Sequence, residues 1–511
     1  MSGIMLMLVG GKGGEAPVNT VAPALSDSTP VYNQTISTTT GTWTSITTPT
    51  YAYQWQRNGG NIGGATSSSY TITSTDVGAT VRCVVTATNP FGSTAANSNT
   101  SSTVAAIVPN APTIGTATAG EEQATVAFTN LSFPTQTGGA TIINYQAISS
   151  PGSITATGAG TPITVTGLTG GTSYTFQVRA QNSAGYGSYS SSSNSVTPTA
   201  PAIGLFMGGE DPVNSNNRTA VISKIAITTT GNATDFGDLT IAAQDAPGGC
   251  GSTTRALCGG GNRTGQTYSS TIDYGTFATA GNFSDFGDLT AGRFAVGAGN
   301  NSTRGVWLGG IDQYSTSRID YVTIATTGNA STFGALVDHG YGFGARYGQC
   351  LSSPTHILYM GGQSGWDGTN FTEFRRITTA TTGNSQLYGS LGGASNENCG
   401  QGNSTTGLYN LCGISANSFE NTIYKMTYST SGNNGDFGDL INPQTRGQAV
   451  SNPTRVVFGG GRVSSSSPNN QNVMQYNTIS TSGNSTDFGD LVSNGGWANM
   501  AAACSSGGGV Q

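Results

Sequence analysis

Aspartates recur at a fixed spacing in the C-terminal part of the chain, and their pattern is the first that could support chemistry. The motif DFGDL occurs at 235–239, 285–289, 436–440 and 487–491, with degenerate forms at 332–336 and 387–391. Paired carboxylates can bind calcium, but Ca²⁺ takes six to eight oxygen ligands, and two carboxylates per motif fall short of that. We therefore predict that these aspartates accept backbone N–H bonds in turns, that the Phe and Leu are buried, and that no metal or other cofactor is bound.

Catalytic patterns are scarce in the rest of the sequence. The chain has two histidines, His339 and His356, and neither has a serine elbow or a partner at metal-ligand spacing. A glycosidase needs two carboxylates that face one sugar. Five acids outside the aspartate motif fall in predicted loops and could converge at one place: Glu210, Asp211, Asp312, Asp367 and Glu373. The sequence predicts that the protein is not an enzyme, and a polysaccharide-degrading enzyme stays open as an alternative.

Aromatic residues in polar loops indicate binding instead. Trp366 and Asp367 lie in GGQSGWDGTNF, Tyr314 lies in IDQYSTSR, and Trp497 lies near the C-terminal end of the sequence. Loops carry recognition residues more often than the elements they connect. Aromatics beside Asn, Asp and Gln suit sugars, so we predict that these four residues bind a glycan.

Composition restricts the elements that could position these residues. Of 511 residues, 8% are charged and 77 are glycine, and the formal net charge is −6 with a pI near 4.9. Long helices and coiled coils need more Ala, Glu, Lys and Leu, and nucleic-acid binding needs a basic surface. Gly, Ser, Thr and Asn interleaved with β-branched and aromatic residues favour strands and turns. The predicted fold class is all-β.

Residues 202–511 repeat with a period of about fifty residues. An apolar strand ending in glycine recurs six times, as in GLFMGG, GVWLGG and ILYMGG, and a second strand ending in Gly-Asn recurs six times, as in IDYVTIATTGN. The aspartate motif and a strand of small residues complete each unit. Six units of about four strands resemble a kelch-like β-propeller of six blades. If the ring closes, the strand near Leu205–Gly209 must lie in the same blade as the strand around Met500–Cys504.

Two β-sandwich domains are predicted before the repeats. Residues 15–108 resemble an immunoglobulin-like domain, in which YQWQRNG provides the core Trp55 on strand C and Cys83 lies on strand F. Thr38 stands where that family has its strand B cysteine, so the inter-sheet disulfide cannot form. Residues 109–198 resemble a fibronectin type III domain, in which Leu168 and the strand around Tyr174 match the E–F signature. Pro198 and Pro201 bound a short linker.

The cysteines and the N-terminal segment suggest a compartment. The seven cysteines form no CxxC pair, and we predict that all are reduced, as expected of a chain that folds in a cytoplasm. The segment 1–14 contains one apolar run, which is too short to span a membrane. We predict that this run anchors the protein to a larger particle; it comprises Ile4, Met5, Leu6, Met7, Leu8 and Val9.

The combination of these regions resembles the virion structural proteins of tailed bacteriophages. That resemblance implies a fibre, spike or decoration protein, synthesised in the host cytoplasm and located on the virion surface. We expect a structural protein that uses a propeller head for host attachment, with other virion proteins (tail, neck or capsid) and a host surface glycan or protein as partners. A homo-oligomer is expected, and neither nucleic acid nor membrane is an expected partner. A purely architectural decoration protein and a secreted bacterial adhesin stay open as alternatives.

Overall fold

The computed structural model describes residues 14–210, 218–337, 344–364, 368–391, 393, 395, 397–411, 420–430, 435–463, 471–492 and 498–506. These residues form strands, turns and irregular segments without a helix, as the composition predicted. In the same ranges, no helix is long and apolar enough to cross a membrane. The chain divides into two compact units, Met1–Ala200 and Pro201–Gln511.

The first unit contains fifteen strands. In chain order they are β1 (Val18–Val21), β2 (Thr35–Ser37), β3 (Thr42–Thr44), β4 (Thr50–Arg57), β5 (Gly60–Asn61), β6 (Ser69–Thr71), β7 (Val81–Asn89), β8 (Gly92–Asn97), β9 (Thr113–Ala119), β10 (Gln123–Thr129), β11 (Asn144–Ser150), β12 (Thr155–Gly158), β13 (Ile163–Thr166), β14 (Thr175–Asn182) and β15 (Gly185–Tyr186).

Residues 14–108 form an immunoglobulin-like arrangement around one tryptophan. The sheet β5-β4-β7-β8 faces the small sheets β2-β6 and β1-β3. Trp55 is fully buried, donates its indole N–H to Ser67 O over 2.9 Å and stacks on Tyr70 at 5.6 Å. Ile36, and not Thr38, occupies the core beside Trp55 and Cys83. The predicted strand B position, Thr38, is therefore two residues too late. The run TISTTT has no apolar residue after Ile36 that could mark the inward-facing position.

Residues 109–198 form the second sandwich, with sheets β13-β10-β9 and β12-β11-β14-β15. Alternate residues of β10, β11 and β14 point inward, and their apolar side chains form one core that includes Phe128, Leu168 and Tyr174. The Tyr174 hydroxyl accepts the backbone N–H of Thr169 over 3.0 Å, a bond that ties the β13–β14 connection to its own domain. The core of this segment thus contains the residues expected from its resemblance to the fibronectin type III fold.

The described part of the second unit has twenty-seven strands. In chain order they are β16 (Ile203–Met207), β17 (Thr219–Ala226), β18 (Thr234–Gln244), β19 (Gly248–Gly251), β20 (Arg255–Gly259), β21 (Asn262–Arg263), β22 (Thr271–Thr276), β23 (Ser284–Asp288), β24 (Gly297–Asn300), β25 (Arg304–Leu308), β26 (Arg318–Thr323), β27 (Ser331–Ala335), β28 (Ala345–Arg346), β29 (Gln349–Ser352), β30 (His356–Met360), β31 (Gln363–Ser364), β32 (Glu373–Thr378), β33 (Gln386–Ser390), β34 (Cys399–Gly402), β35 (Thr406–Asn410), β36 (Thr422–Thr427), β37 (Gly435–Asp439), β38 (Gln448–Ser451), β39 (Arg455–Gly459), β40 (Val473–Thr478), β41 (Thr486–Asp490) and β42 (Ala501–Cys504).

In the described residues, these strands form six large antiparallel sheets, which we number I to VI in chain order, and the two-stranded sheet β28-β31. Sheet I has the order β42-β16-β17-β18 with β21 added at its edge, and the others are β19-β20-β22-β23, β24-β25-β26-β27, β29-β30-β32-β33, β34-β35-β36-β37 and β38-β39-β40-β41. The first strands of the sheets neighbour one another in the cycle β42, β19, β24, β29, β34, β38 and back to β42. β16 pairs with β42 from Gly204↔Cys504 to Met207↔Ala501. The predicted pairing of these distant strands is confirmed.

The aspartate motif and the Gly-Asn turn contact each other across neighbouring sheets. A methyl group added at Gly237 in sheet I would lie 2.3 Å from Gly281 O in sheet II. Beside this contact, Asn282 Oδ1 accepts the N–H of Asp238 over 3.1 Å. Equivalent glycine contacts join Gly287 to Gly328, Gly334 to Gly383, Gly438 to Gly483 and, from sheet VI back to sheet I, Gly489 to Gly231. The two motifs therefore recur together because each needs the other's backbone at close range.

The side chains of the aspartate motif take the roles predicted for them. Asp235 Oδ1 accepts the N–H of Gly237 over 3.1 Å, and Asp285 and Asp436 make the same local bond. Phe236 and Leu239 are buried, and Phe236 is the bulged residue opposite Ile222 and Ser223 of β17. No group of three or more Cys, His, Asp or Glu assembles within the described ranges.

Six cysteines of the described residues are buried thiols outside any disulfide: Cys83, Cys250, Cys258, Cys350, Cys399 and Cys504. This agrees with the predicted reduced state, and Cys412 lies outside the described residues. Burial raises the pKa of the Cys83 thiol to about 11 and that of the Cys258 thiol to about 12. Thiols with such pKa values stay protonated at neutral pH and react slowly.

Candidate functional site at the loop end

The connections of the second unit fall into two sets with different regularity. One set, which we call the turn end, joins third to fourth strands through seven residues each: 227–233, 277–283, 324–330, 379–385, 428–434 and 479–485. Its hairpins between first and second strands have three residues each: 252–254, 301–303, 353–355, 403–405 and 452–454.

The other set, the loop end, varies in length. Connections from second to third strands are 208–218, 260–270, 309–317, 361–372, 411–421 and 460–472, which is nine to thirteen residues. Connections from fourth strands to the next first strand are 245–247, 289–296, 336–348, 391–398, 440–447 and 491–500, which is three to thirteen residues. Among the predicted binding residues, Tyr314 lies in the described part of this second set, in the connection 309–317.

Six residues at the loop end form a ring of backbone hydrogen bonds. Each lies one or two residues before a first strand and has a positive φ between 52° and 61°: Ala246, Ala295, Tyr347, Glu397, Arg446 and Asn499. The amide N–H of Asn499 donates to Arg446 O over 3.0 Å, and Ala246 N–H donates to Asn499 O over 3.1 Å. In the same way, the N–H of Arg446 donates to Glu397 O, that of Glu397 to Tyr347 O and that of Tyr347 to Ala295 O. A bond from Val296 N–H to Ala246 O closes the ring.

This ring surrounds a small cavity. Its lining includes Tyr347, Glu397, Arg446 and Asn499, and its volume is about 10 Å³, which is room for about one water molecule. Positive φ is uncommon for residues with a Cβ and costs free energy at each position. The backbone bonds between successive sheets hold all six residues in that conformation together.

A charged network lies against the ring and joins sheet VI to sheet I. Glu210, which is 5% exposed, accepts hydrogen bonds from Arg462 and from the Asn499 amide. Arg446 lies 2.8 Å from Glu397 and 3.9 Å from Glu210. Burial alone would lower the pKa of Arg446, and the hydrogen bond and charge of Glu397 raise it above its usual value. These carboxylates are paired with arginines, and the network links sheet VI to sheet I.

Two further ion pairs at the loop end are fully buried. Arg263 of β21, at the edge of sheet I, bonds Asp273 of sheet II over 2.5 Å. Arg293, in the connection after sheet II, bonds Asp320 of sheet III over 2.7 Å. Thr290 also donates its hydroxyl to Asp320 over 2.7 Å. Desolvation lowers the pKa of Arg293, and the Asp320 carboxylate opposes that shift. Asp273 and Asp320 occupy the same place in the repeat, where the other sheets have Ser223, Arg375, Tyr424 and Gln475.

The predicted binding residues have different outcomes. Tyr314 lies at the loop end with 80% of its surface exposed. Trp366, Asp367 and Trp497 lie outside the described residues, and so does the predicted anchor Ile4–Val9. Trp307 is fully buried and its indole N–H donates to Gly248 O over 3.0 Å.

The acids left open as catalytic candidates, and the two histidines, do not gather into one site in the described part of the chain. Glu210 is held by the closure network, and Glu373 pairs with Arg375 over 3.2 Å. Asp211, Asp367 and His339 lie outside the described residues. His356 begins β30 at the turn end, where burial and then Arg376 lower the pKa of its imidazole.

Sequence reasoning missed the residues around the cavity. Tyr347, Glu397, Arg446 and Arg462 belong to no motif, and Tyr268 was also overlooked. One signal was present in the sequence. Tyr347, Glu397 and Arg446, like Ala246 and Asn499, stand two positions before the small-residue strand of their own repeat.

The structure is that of an all-β protein with β-sandwiches in the first unit and repeated antiparallel sheets in the second. Residues 110–196 match the family model of the fibronectin type III domain. Among solved structures, domains A168-A170 from titin are 20% identical and cover 35% of this chain and 67% of their own, with a TM-score of 0.20. The structure of YjhT is 7% identical and covers 53% of this chain and 94% of its own, with a TM-score of 0.39. No curated protein matches the sequence.

Proposed function

We propose that the second unit is a six-bladed, kelch-like β-propeller that presents its loop end to a ligand. Six antiparallel sheets of about four strands, with neighbouring first strands and a first sheet completed by the last strand, support this architecture. A lone sheet of this kind leaves both faces apolar, and stacking the sheets in a ring covers them.

The observation that carries the proposal is the contrast in connection length. The turn end keeps seven-residue and three-residue connections throughout, and the loop end varies from three to thirteen residues. Loops that vary on a constant scaffold are where proteins usually place recognition. The exposed Tyr314 adds an aromatic side chain to that end.

The chain as a whole is proposed to be a structural protein on the surface of a tailed-phage virion, of the fibre or spike type. The two sandwiches act as a stalk, the loop end binds a host-surface glycan or protein, and Ile4–Val9 binds other virion proteins. The resemblance of the three regions to phage virion proteins supports this proposal, and the low charge and strand-rich composition are compatible with it.

A polymer-blocking experiment on the full chain tests which end binds. Because the described thiols are buried, a new surface cysteine can be labelled selectively in a Cys412→Ser background. A large polyethylene glycol maleimide is attached at Thr267→Cys on the loop end or at Thr382→Cys on the turn end, both of which are exposed. Saturable binding to host cells is measured for each labelled variant and for the same variant without polymer.

We expect the polymer on the loop end to reduce affinity at least tenfold and the polymer on the turn end to leave it unchanged. Equal effects from the two positions contradict the proposed orientation. If the unlabelled protein shows no saturable binding to cells but is found on virions, the architectural decoration protein is the better assignment.

A further inference from the structure

The loop end of sheets II and III carries an aromatic surface that the sequence did not reveal. Tyr268 belongs to the connection 260–270 and is 39% exposed. Its ring stacks on Phe294, with centroids 5.8 Å apart and an interplanar angle of 23°. One face of Tyr268 is thus supported by protein, and the ring is held in a fixed orientation at the surface.

Tyr314 belongs to the same group of loops. Phe294 and Ile311 exchange backbone hydrogen bonds of 3.1 and 2.8 Å, which joins the connection after sheet II to the loop of sheet III. Ile311 also bridges to Ser315, so Tyr314 lies in a tight turn directly beside this junction. We call Tyr268, Phe294 and Tyr314 the aromatic platform.

The turn that carries Tyr314 is strained. Gln313 has a φ of 113°, a region that residues with a Cβ rarely occupy. The N–H of Asp312 donates to Tyr314 O over 3.0 Å and maintains that turn. Strain of this kind concentrates at sites that bind ligands, where the fold holds a side chain in a position that an unstrained turn would not provide.

Polar groups without partners lie beside the platform. Within the described ranges, the Ser315 hydroxyl and the Arg318 Nε are buried atoms that lack a hydrogen-bond partner. Both atoms are enclosed by protein, so hydrogen bonds to a ligand at the surface come from the more exposed side chains of the same turn. Asp312 and Gln313 supply further acceptors and donors in the same turn.

We propose that the aromatic platform binds a pyranose-containing oligosaccharide. The C–H face of a sugar ring matches the exposed face of a tyrosine, and the neighbouring Asp312 and Gln313 provide hydrogen bonds for its hydroxyls. A polyanionic ligand is disfavoured, because the chain has a net charge of −6. This inference rests on the proposed binding function and gives that function a site and a ligand class.

Two substitutions in the full chain test the site. The protein is first applied to a glycan array, and the best oligosaccharide is then titrated by calorimetry against wild type, Tyr268→Ala, Tyr268→Phe and Tyr314→Ala. Leu387→Ala is the matched control, because Leu387 is 59% exposed on the outer strand β33. Thermal unfolding midpoints are recorded for every variant.

We expect Tyr268→Ala and Tyr314→Ala each to weaken binding at least tenfold with unchanged unfolding midpoints. Tyr268→Phe should bind within threefold of wild type, because stacking needs the ring and not the hydroxyl, and Leu387→Ala should match wild type. Oligosaccharide binding that survives both alanine substitutions overturns the site and leaves the proposed function standing. If host cells bind the protein but lose that binding after protease treatment, and no glycan binds, the ligand class is overturned; absence of both kinds of binding overturns the proposed function as well.

Discussion

The two ends of the second unit solve the same problem, joining neighbouring sheets, in different ways. At the turn end one solution is repeated: Arg255, Arg304 and Arg455 each lie over a tyrosine of their own sheet. Each also donates to a carbonyl of the next sheet, as Arg304 does to Thr379 O over 2.8 Å. At the loop end, apart from the repeated backbone ring, the ion pairs are individual, such as Arg293 with Asp320.

The difference teaches where the fold allows sequence change. Turn-end contacts combine these arginines with close approaches between glycines and the neighbouring backbone, and the glycine contact recurs at five described positions. Loop-end contacts are made by side chains that differ from sheet to sheet, and the six residues of the backbone ring include Ala, Tyr, Glu, Arg and Asn. The loop end therefore has room to acquire a binding surface without loss of the scaffold.

The largest effect is expected from breaking a buried loop-end ion pair. Asp320→Ala removes the carboxylate and leaves the Arg293 guanidinium buried without its charge partner. Such losses cost about 3–5 kcal/mol, and urea unfolding of the second unit should show a midpoint that falls accordingly. Asp288→Ala is the control, because the exposed carboxylate of Asp288 accepts the Ser270 hydroxyl while its backbone bonds stay in place, and the change should cost about 1 kcal/mol or less. Equal midpoints for the two variants would mean that the buried pair does not hold sheets II and III together.

A smaller effect is expected at the turn end from one methyl group. Gly438→Ala places a Cβ 2.2 Å from Gly483 O at a φ of 148°, so backbone must move at a cost of about 1–3 kcal/mol. Gly435→Ala in the same strand is the matched control, because a Cβ there meets nothing within 4 Å. The control should leave stability within about 0.5 kcal/mol of wild type or raise it slightly. Chemical unfolding of both variants measures the difference, and a tolerated alanine at 438 would show that the glycine contact is not required.

The smallest effect is expected at the backbone ring. Ala295→Gly relieves a φ of 55°, which costs alanine roughly 1–2 kcal/mol. It also loses a buried methyl worth about 0.8 kcal/mol and adds flexibility to the unfolded chain. These contributions should nearly cancel, so the free energy of unfolding measured by calorimetry should be close to that of wild type. Ala298→Gly in β24 gains no relief of strain and should destabilise by about 1 kcal/mol or more; a similar loss at 295 would deny that the ring residues are strained.

Much of the scaffold could be predicted from the sequence, because repetition marks each element six times. The apolar Gly-Gly strand, the aspartate motif and the pairing of the strand near Leu205 with the one near Cys504 all follow from that pattern. What the sequence did not show was that the aspartate motif and the Gly-Asn turn contact each other. They are more than forty residues apart, and only the order of the sheets in space brings Gly237 to Gly281.

The candidate site was less predictable for a physical reason. Glu210, Arg446 and Arg462 meet across about 250 residues, and none of them is repeated, so no period indicates them. Tyr314 was recognised because it interrupts a polar loop, whereas Tyr268 gains its meaning from Phe294, which lies in a different connection. The immunoglobulin-like domain shows a similar limit, since the core role of Ile36 depended on register and not on residue type.

The pairing of β16 with β42 determines how long sheet I stays incomplete during biosynthesis. Leu205 and its partner Ala503 are separated by about 300 residues, and ribosomes add roughly 5–20 residues per second. β42, the first strand of sheet I, is therefore missing for roughly 15–60 seconds after β16 leaves the ribosome. During that interval β16 presents an unpaired apolar edge to every nascent neighbour, which is the condition under which strands exchange between chains. Dense polysomes should be the setting in which this protein misassembles, and slower initiation of translation should raise its folded yield.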